Sequence, residues 1–289
     1  MDILTDYYDP ALKQRNLTPL RNFDTFSFHH VDLLDAPLPA LLEGAEVIYH
    51  LAGQPGVRSS WDHDFPQYVT RNVLATYAIL KAARGRPVRK LVFASSSSVY
   101  GEVQTYPTVE TLRPQPASPY GVTKLAAEHL CELYRVTFEV PTVSLRLFSV
   151  YGPQQRPDMA FSRLLAAVPH DRPFPLYGEG EQTRDFTFVS DAVAAMRAAA
   201  CSEFTGITNI GGGNQVSMNQ VIAAIEQFAG PVQLVRLPVV RGEVRHTGAD
   251  ITLARTAFGY IPTVGLSDGL AAMVAAERHS DLELSHELH

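Results

Sequence analysis

Tyr120 and Lys124, a tyrosine and a lysine four residues apart, are the part of the sequence whose types and spacing point most directly to chemistry. In a helix, this spacing puts both side chains on one face. A serine of the upstream run 95–98 can reach that face from the end of a parallel strand. A tyrosine with a pKa of about 10 is a poor base at neutral pH, and a nearby lysine ammonium favours its phenolate. The three residue types predict proton transfer at a sugar or alcohol hydroxyl.

The spacing is a weak signal by itself, because the same pattern occurs on surface helices that carry a half-buried tyrosine. Proton transfer of this kind normally accompanies hydride transfer to a nicotinamide. The elements around the pair must therefore be able to hold a nucleotide cofactor.

Alternating strands and helices surround the pair. Apolar runs at 46–51, 88–94 and 141–147 predict buried strands, and apolar periodicity predicts helices over 65–83 and from Pro119 to about Phe138. Residues 102–118 contain several prolines and predict a loop. This order predicts an α/β fold with a doubly wound parallel sheet.

The second half of the chain is less regular. Helical runs near 159–168, 190–200, 217–229 and 266–278 are separated by short strands. We place a dinucleotide-binding domain at 1–153, a smaller and mainly substrate-binding lobe at 154–280, partly interleaved with the sheet, and a polar tail at 281–289.

Composition excludes several other classes of protein. The 289 residues are 46% hydrophobic and carry a formal net charge of −6, so nucleic acid is not the expected partner. We find no signal peptide and no apolar run long enough to span a bilayer. Two cysteines, Cys131 and Cys201, give neither a disulfide framework nor metal-ligand spacing. We expect a cytoplasmic protein without a metal.

Several motifs resemble those of one family in the same order along nearly the whole chain. They are His50-Leu51-Ala52-Gly53, Asn72-Val73, 93–101, 120–124, 146–153, 184–189 and 247–250. The chain resembles the extended short-chain dehydrogenases/reductases of the nucleotide-sugar epimerase/dehydratase type, which have a Rossmann-like sheet and use NAD.

The resemblance assigns roles to individual residues. Tyr120 would be the general base, Lys124 would hold the ribose and lower the pKa of Tyr120, and Ser96 would contact the sugar hydroxyl. Cofactor contacts would come from further residues along the sheet edge: Asp2, Asp32, Leu33, Leu51, Ala52, Gly53, Asn72, Ser95 and Phe148. Without the resemblance, these are ordinary core, turn or capping residues.

The start of the chain departs from the family pattern. The family begins with a strand, a glycine-rich turn and a helix whose N-terminus holds the pyrophosphate. This chain opens at Met1-Asp2-Ile3-Leu4, which resembles the end of the family's second strand. We expect a chain that lacks those first elements through truncation or a mis-assigned start. The alternative is a degenerate homologue that binds NAD poorly.

The reaction is narrowed by residues beside Ser96. Related dehydratases have Asp-Glu directly after the Ser/Thr that matches Ser96. Related decarboxylases have Glu at the second position after it. This chain has Ser97 and Ser98 at these two positions. A serine cannot act as the carboxylic acid that elimination requires. Epimerisation at C4 needs only the Ser, Tyr and Lys groups with NAD.

The stretch that runs from Ser149 through Arg156, together with 56–61, is similar to UDP-glucuronate 4-epimerases. Ser97 and Ser149 are candidates to hold a C6 carboxylate by hydrogen bonds, and Arg156 to neutralise charge nearby. Arg184 and Arg241 are candidates for the UDP phosphates, because a guanidinium binds two oxygens at once. Arg58 is a further substrate candidate. Each arginine could instead form a surface salt bridge or cap a helix.

Three functions remain open. The first is an NAD-dependent nucleotide-sugar 4-epimerase acting on UDP-glucuronate. The second is a nucleotide-sugar ketoreductase, or an epimerase for another sugar. The third is an inactive homologue that binds ligand without turnover. The resemblance also implies a homodimer formed by the helices at 65–83 and 120–138.

Overall fold

The computed structural model describes residues 1–62, 65–239 and 244–287. Its main sheet has four parallel strands in the order β1 (Val47–His50), β2 (Lys90–Ser96), β3 (Thr142–Leu147) and β7 (Gly206–Ile210). The parallel sheet predicted from the alternation of strands and helices is confirmed, and the three predicted strands lie within three residues of their expected bounds. β7 comes from the second half of the chain, so that half contributes to the main sheet.

Alternate side chains of β2 point into separate cores on the two faces of the sheet. Leu91 and Phe93 pack on one face, with Leu80 of α4 (Ala75–Ala83) and Cys131 of α5 (Pro119–Phe138). Val92 packs on the other face, in the cluster of α7 (Val189–Cys201) and α9 (Thr252–Phe258). This is the two-sided burial expected of a doubly wound sheet.

Helix α5 has the predicted bounds because capping residues define both of its ends. The Ser118 side chain accepts a hydrogen bond from the Gly121 amide at 3.1 Å, and Pro119 occupies the first helical position. The helix ends where Glu139 adopts a left-handed conformation with φ 56°. These caps fix where Tyr120 and Lys124 lie on the helix.

The helix predicted over 65–83 is interrupted. It consists of α3 (Phe65–Tyr68), a π-helical stretch Val69–Leu74 and α4. A π-helical turn within a helix often marks a functional position. Here it carries Arg71 and the buried Asn72.

The second half forms two smaller sheets and their own core. β4 (Ser149–Tyr151) pairs in parallel with β6 (Thr183–Phe188), which pairs antiparallel with β8 (Gln215–Ser217). β5 (Phe174–Tyr177) pairs with β9 (Leu234–Leu237). Helices α6 (Ala160–Ala167), α8 (Met218–Ala229) and α10 (Leu266–Glu287) supply much of the remaining apolar core.

The other helical elements are short. They are α1 (Pro10–Leu17), α2 (Leu38–Leu41) and the 3₁₀ turns Pro19–Asn22, Ser59–Trp61, Ser97–Val99 and Val168–His170. The backbone of α10 is helical to Glu287 and so extends beyond the expected end at 278. Within the described ranges, no helix is both long and apolar enough to cross a membrane.

Candidate functional site

Two neighbouring cavities of about 780 and 450 Å³ lie along the carboxyl edge of the main sheet. Ser96, Tyr120 and Lys124 line the larger cavity, as the sequence predicts. Asp2, Asp32 and Leu33 line the smaller one. Ligand sites in open α/β sheets form at this edge.

Tyr120 and Lys124 share the cavity-facing side of α5. The Lys124 ammonium donates to the Ala94 carbonyl at 2.8 Å, and the Nζ atom lies 4.9 Å from the centre of the Phe93 ring. Burial lowers the pKa of Lys124 to about 8. The side chain therefore remains largely protonated at pH 7, and the Ala94 carbonyl holds it in place.

The net lowering of the Tyr120 pKa expected from Lys124 is not found, because burial has the larger effect. Burial raises the pKa of Tyr120, and a hydrogen bond with the Ser96 side chain only partly opposes that increase. Ser96 also accepts a hydrogen bond from the Ser98 amide at 3.1 Å, which orients it at the end of β2. Desolvation of the phenolate outweighs the attraction to nearby positive charge.

Ser95 and Ser96 point in opposite directions, as successive strand residues do. The Ser95 hydroxyl donates to Glu128 at 2.8 Å, inside the core. The Ser95 side chain is therefore held in the core, although the residue also lines the larger cavity, and its role in cofactor binding stays a prediction.

Asn72 has a supporting position in the structure, and its predicted contact with the cofactor stays a prediction. Its side chain accepts from the Gln54 amide at 2.7 Å, and it donates to the Gln54 carbonyl and to Thr123. It lines neither cavity. Both polar atoms of this amide take part in fixing the loop after β1 against α5.

The loop after β1 carries the other predicted cofactor residues. Leu51 lines the larger cavity, Ala52 the smaller one, and Gly53 both. A Cβ atom on Gly53 would lie 2.7 Å from the Asn72 side-chain oxygen and 3.5 Å from Lys124 Nζ. The backbone here can therefore pass close to a ligand only as glycine.

Asp2 and Asp32 each turn a carboxylate oxygen toward their own backbone. Asp2 accepts from the Leu4 amide at 2.6 Å, and Asp32 accepts from the Leu34 amide at 2.9 Å. Each fixed carboxylate keeps further lone pairs for ribose hydroxyls. Phe148, with 1% of its surface exposed, forms an apolar part of the wall of the larger cavity.

The predicted substrate residues, apart from Arg241, meet in the larger cavity. Its lining includes Arg58, Ser97, Ser149, Arg156 and Arg184. Arg241 lies outside the described residues.

Each of these arginines already has a protein partner. The Arg58 guanidinium lies 4.1 Å from the centre of the Tyr177 ring, and Arg156 pairs with Asp158 at 2.7 Å. Arg184 donates to the Thr183 carbonyl at 2.9 Å. These contacts orient the guanidinium groups without burying them.

Further residues of the site were not predicted. Arg163 of α6 lines the larger cavity and lies 5.5 Å from the centre of the Phe174 ring. Tyr7 lines both cavities and donates to Asp158 at 3.3 Å. The only available signal for Arg163 was a cation within an apolar helical run. Tyr7 carried no signal because its partner is 151 residues away in the chain.

No group of three or more potential metal ligands occurs among the residues that the structure describes. The parallel sheet and the Tyr–Lys helix beside two joined cavities define a dinucleotide-binding α/β enzyme. The chain belongs to the NAD dependent epimerase/dehydratase family, whose model matches residues 7–211.

Relatives and solved structures agree with this assignment. The chain is 42% identical over 278 residues to a Bacillus subtilis protein described as uncharacterized UDP-glucose epimerase YtcB, covering 94% of this chain and 88% of that protein. It is 33% identical over 280 residues to the UDP-glucuronate 4-epimerase of Thermodesulfobacterium geofontis, covering 95% and 86%. The crystal structure of UDP-glucuronic acid 4-epimerase from Bacillus cereus, in complex with UDP-glucuronic acid and NAD, superposes with a TM-score of 0.93. That match has 42% identity and covers 96% of this chain and 90% of the other.

The residues present fit NAD, the cofactor of the family. Two carboxylates suited to ribose hydroxyls lie in one cavity, and the Tyr–Lys pair lies in the next. Gly53, where a side chain would collide with Asn72, lies between them. The two cavities together therefore offer the donors and acceptors that a dinucleotide needs.

Proposed function

We propose that the chain is an NAD-dependent 4-epimerase of UDP-glucuronate. The observation that supports this most directly is the charge of the larger cavity. Its lining includes five cations but, among the described residues, one carboxylate. The cations are Arg58, Lys124, Arg156, Arg163 and Arg184. A nucleoside diphosphate sugar acid carries negative charge at the diphosphate and again at C6, so it matches this distribution.

The single carboxylate, Asp158, is not a candidate acid for elimination. It is paired with Arg156 at 2.7 Å and accepts a hydrogen bond from Tyr7. The two positions that follow Ser96 are Ser97 and Ser98, and both carry hydroxyl groups rather than carboxylates. Among the residues that the structure describes, the lining therefore offers no free carboxylic acid to expel a C6 hydroxyl, which favours epimerisation over dehydration.

The chain's own residues account for the proton movements. Ser96 would hold the C4 hydroxyl by a hydrogen bond while Tyr120 removes its proton and later returns it. Because burial raises the pKa of Tyr120, this step needs positive charge nearby, and Lys124 supplies it from the same face of α5. Bound NAD would supply the hydride acceptor and, after rotation of the keto-sugar, the hydride donor for C4.

The two ends of the substrate would be held by different groups. Ser97 and Ser149 line the same cavity as Tyr120 and Arg156, which supports them as hydrogen-bonding partners of the C6 carboxylate. Arg184 and Arg163 would bind the diphosphate. The keto-sugar must rotate between the two hydride transfers, and the larger volume of this cavity leaves room for that motion.

We also propose a cytoplasmic homodimer. Both cysteines are free, which suits a reducing compartment. On α5, Val122, Leu133 and Val136 lie along one face and are between 50% and 65% exposed. Leu74 and Tyr77 add exposed apolar surface on the neighbouring helix. A second copy would bury this surface in a bundle of helices.

The proposed reaction is tested by incubating the purified chain with NAD⁺ and UDP-glucuronate and following UDP-galacturonate by NMR. We expect epimerisation without net formation of NADH, and a kcat/KM at least tenfold above that for UDP-glucose. Preference for UDP-glucose would reassign the substrate, and stoichiometric use of NAD(P)H would indicate a ketoreductase. Binding of UDP-glucuronate without turnover would indicate a ligand-binding homologue.

Ser149→Ala tests the proposed contact with the carboxylate. It should lower kcat/KM for UDP-glucuronate and leave that for UDP-glucose unchanged. The matched control is Ser202→Ala. It removes a hydroxyl group that lines neither cavity and donates to the Ala199 carbonyl.

A further inference from the structure

The two cavities meet at a shared neck. Five residues line both of them: Tyr7, Gly53, Gln54, Pro55 and Arg156. The carboxylates Asp2 and Asp32 lie only in the smaller cavity, and Tyr120 and Lys124 only in the larger one. A dinucleotide with one ribose at the carboxylates and its reactive ring at Tyr120 must cross this neck with its central pyrophosphate.

Arg71 brings a positive charge to the neck. Its guanidinium donates to the Gln54 side-chain oxygen at 2.6 Å, and the residue lines the smaller cavity. It has no carboxylate within ion-pair distance among the described residues. A guanidinium in a cavity without an anionic partner is a ready site for an anion.

The surroundings hold Arg71 in this position. It lies in the π-helical stretch Val69–Leu74, directly before Asn72. Asn72 is 1% exposed and fixes both the amide and the carbonyl of Gln54. The backbone of the residue that accepts the Arg71 hydrogen bond is therefore fixed at the neck.

Lys13 is a second cation close enough to Arg71 to interact with it. Burial lowers the pKa of Lys13, Asp2 and Asp6 raise it, and the charge of Arg71 lowers it. Lys13 lines the same cavity and donates to the Thr5 carbonyl at 2.6 Å. A bound anion would relieve the repulsion between these two cations.

We propose that Arg71 is a binding residue for the pyrophosphate of the dinucleotide. This inference rests on the proposed function through its cofactor alone and does not depend on the identity of the sugar. Arg71 contributes a charged hydrogen-bond donor next to Gln54. Arg156, which belongs to the second half of the chain, lines the same neck.

The test is calorimetric titration of NAD⁺ into the full chain freed of nucleotide, without sugar. Arg71→Gln keeps a donor for Gln54 but removes the charge. We expect it to weaken NAD⁺ binding by about tenfold or more, as loss of a charged hydrogen bond does. Arg71→Lys keeps the positive charge and should lose less affinity for NAD⁺. The matched control is Arg197→Gln on the exposed face of α7, which should stay within about twofold of the unmodified chain.

A second measurement separates charge from structure. The affinity of the unmodified chain should fall with added KCl more steeply than that of Arg71→Gln, because one ionic contact is lost in the variant. The melting temperatures of the unmodified chain and of Arg71→Gln, measured without ligand, should be equal. Arg71→Ala repeats the comparison in a variant that also lacks the hydrogen bond to Gln54.

The proposal is overturned if Arg71→Gln binds NAD⁺ within about twofold of the unmodified chain. It is also overturned if both variants lose affinity only in proportion to a fall in their melting temperature, or if the unmodified chain does not bind NAD⁺. Failure of the epimerase assay beside an intact Arg71 effect would overturn the substrate proposal alone.

Discussion

Glu128 and Arg146 form a buried, two-pronged ion pair that joins the helix of Tyr120 to the strand beside Ser96. Arg146 Nε lies 3.0 Å and Nη2 2.5 Å from the carboxylate oxygens, and both side chains are at most 3% exposed. Ser95 donates to the same carboxylate at 2.8 Å. Glu128 is four residues after Lys124, so the pair sets the distance between the base and the serine that must act together.

Breaking this pair from one side should be costly. We expect Glu128→Gln to lower the free energy of unfolding by about 3–5 kcal/mol, because Arg146 would remain buried without its counter-charge. Urea denaturation measures the loss. The Glu132–Arg135 pair on the same helix is about one-third exposed, and Glu132→Gln should cost under about 1 kcal/mol. Equal losses in the two variants would contradict the role assigned to burial.

Gly53 should tolerate no side chain. Gly53→Ala places a methyl group 2.7 Å from the Asn72 oxygen, so the amide that holds Gln54 must move. We expect a loss of about 1–3 kcal/mol in stability and at least tenfold weaker NAD⁺ binding, measured by denaturation and calorimetry. Gly265→Ala, whose new methyl group would lie 3.8 Å from its nearest neighbour, is the control and should change neither.

Asp185 should make stability depend on pH. Burial raises its pKa from 3.8 to about 6, although the carboxylate accepts from the Gly212 and Ala249 amides. Between pH 3.8 and about pH 6 the folded chain holds a proton on Asp185 that the unfolded chain releases. The contribution of this proton to the free energy of unfolding is therefore fully present below about pH 4 and is lost as the pH rises through 6.

Asp185→Asn removes that titration. The stability of the unmodified chain relative to the variant should fall between pH 4 and pH 7 by as much as about 3 kcal/mol. Urea unfolding of both proteins across this range gives the difference. A difference that stays constant with pH would show that the carboxyl group has an ordinary pKa in the folded chain.

The exposed apolar face of α5 should be the contact between subunits. Leu133→Glu with Val136→Glu places two charges on residues that are 54% and 65% exposed in the single chain. We expect the double variant to elute as a monomer in size-exclusion chromatography with light scattering, and to melt normally. Val193→Glu, on the exposed face of α7, is the control and should leave the mass unchanged. A monomeric unmodified chain would refute the dimer.

Local signals explain which parts of the site could be predicted. Ser118 and Pro119 mark the start of α5, so the shared face of Tyr120 and Lys124 follows from helical spacing. Alternation along β2 separates Ser95 from Ser96, but the sequence does not show that Ser95 meets Glu128, 33 residues away. The supporting role of Asn72 could not be predicted for the same reason, because its partners lie 18 and 51 residues along the chain.

Cations on helices were the least predictable residues. Arg71 and Arg163 have the ordinary pattern of solvated helix positions, and only the packing of separate segments shows that they line cavities. The pKa of Tyr120 could not be predicted from its spacing to Lys124, because burial, which raises this pKa, depends on the whole fold.

Tyr120 itself provides the sharpest test of the chemistry. Tyr120→Phe removes only the phenolic hydroxyl, and its ring can keep the edge contact with Tyr68, whose centroid lies 6.3 Å away. We expect the rate of UDP-glucuronate epimerisation to fall by about 10²–10⁴, the usual contribution of a general base, with unchanged melting and NAD⁺ affinity. Tyr49→Phe, on the exposed side of β1, is the matched control. Full activity in Tyr120→Phe would mean that another group removes the C4 proton, whereas loss of NAD⁺ binding as well would assign the hydroxyl to cofactor binding.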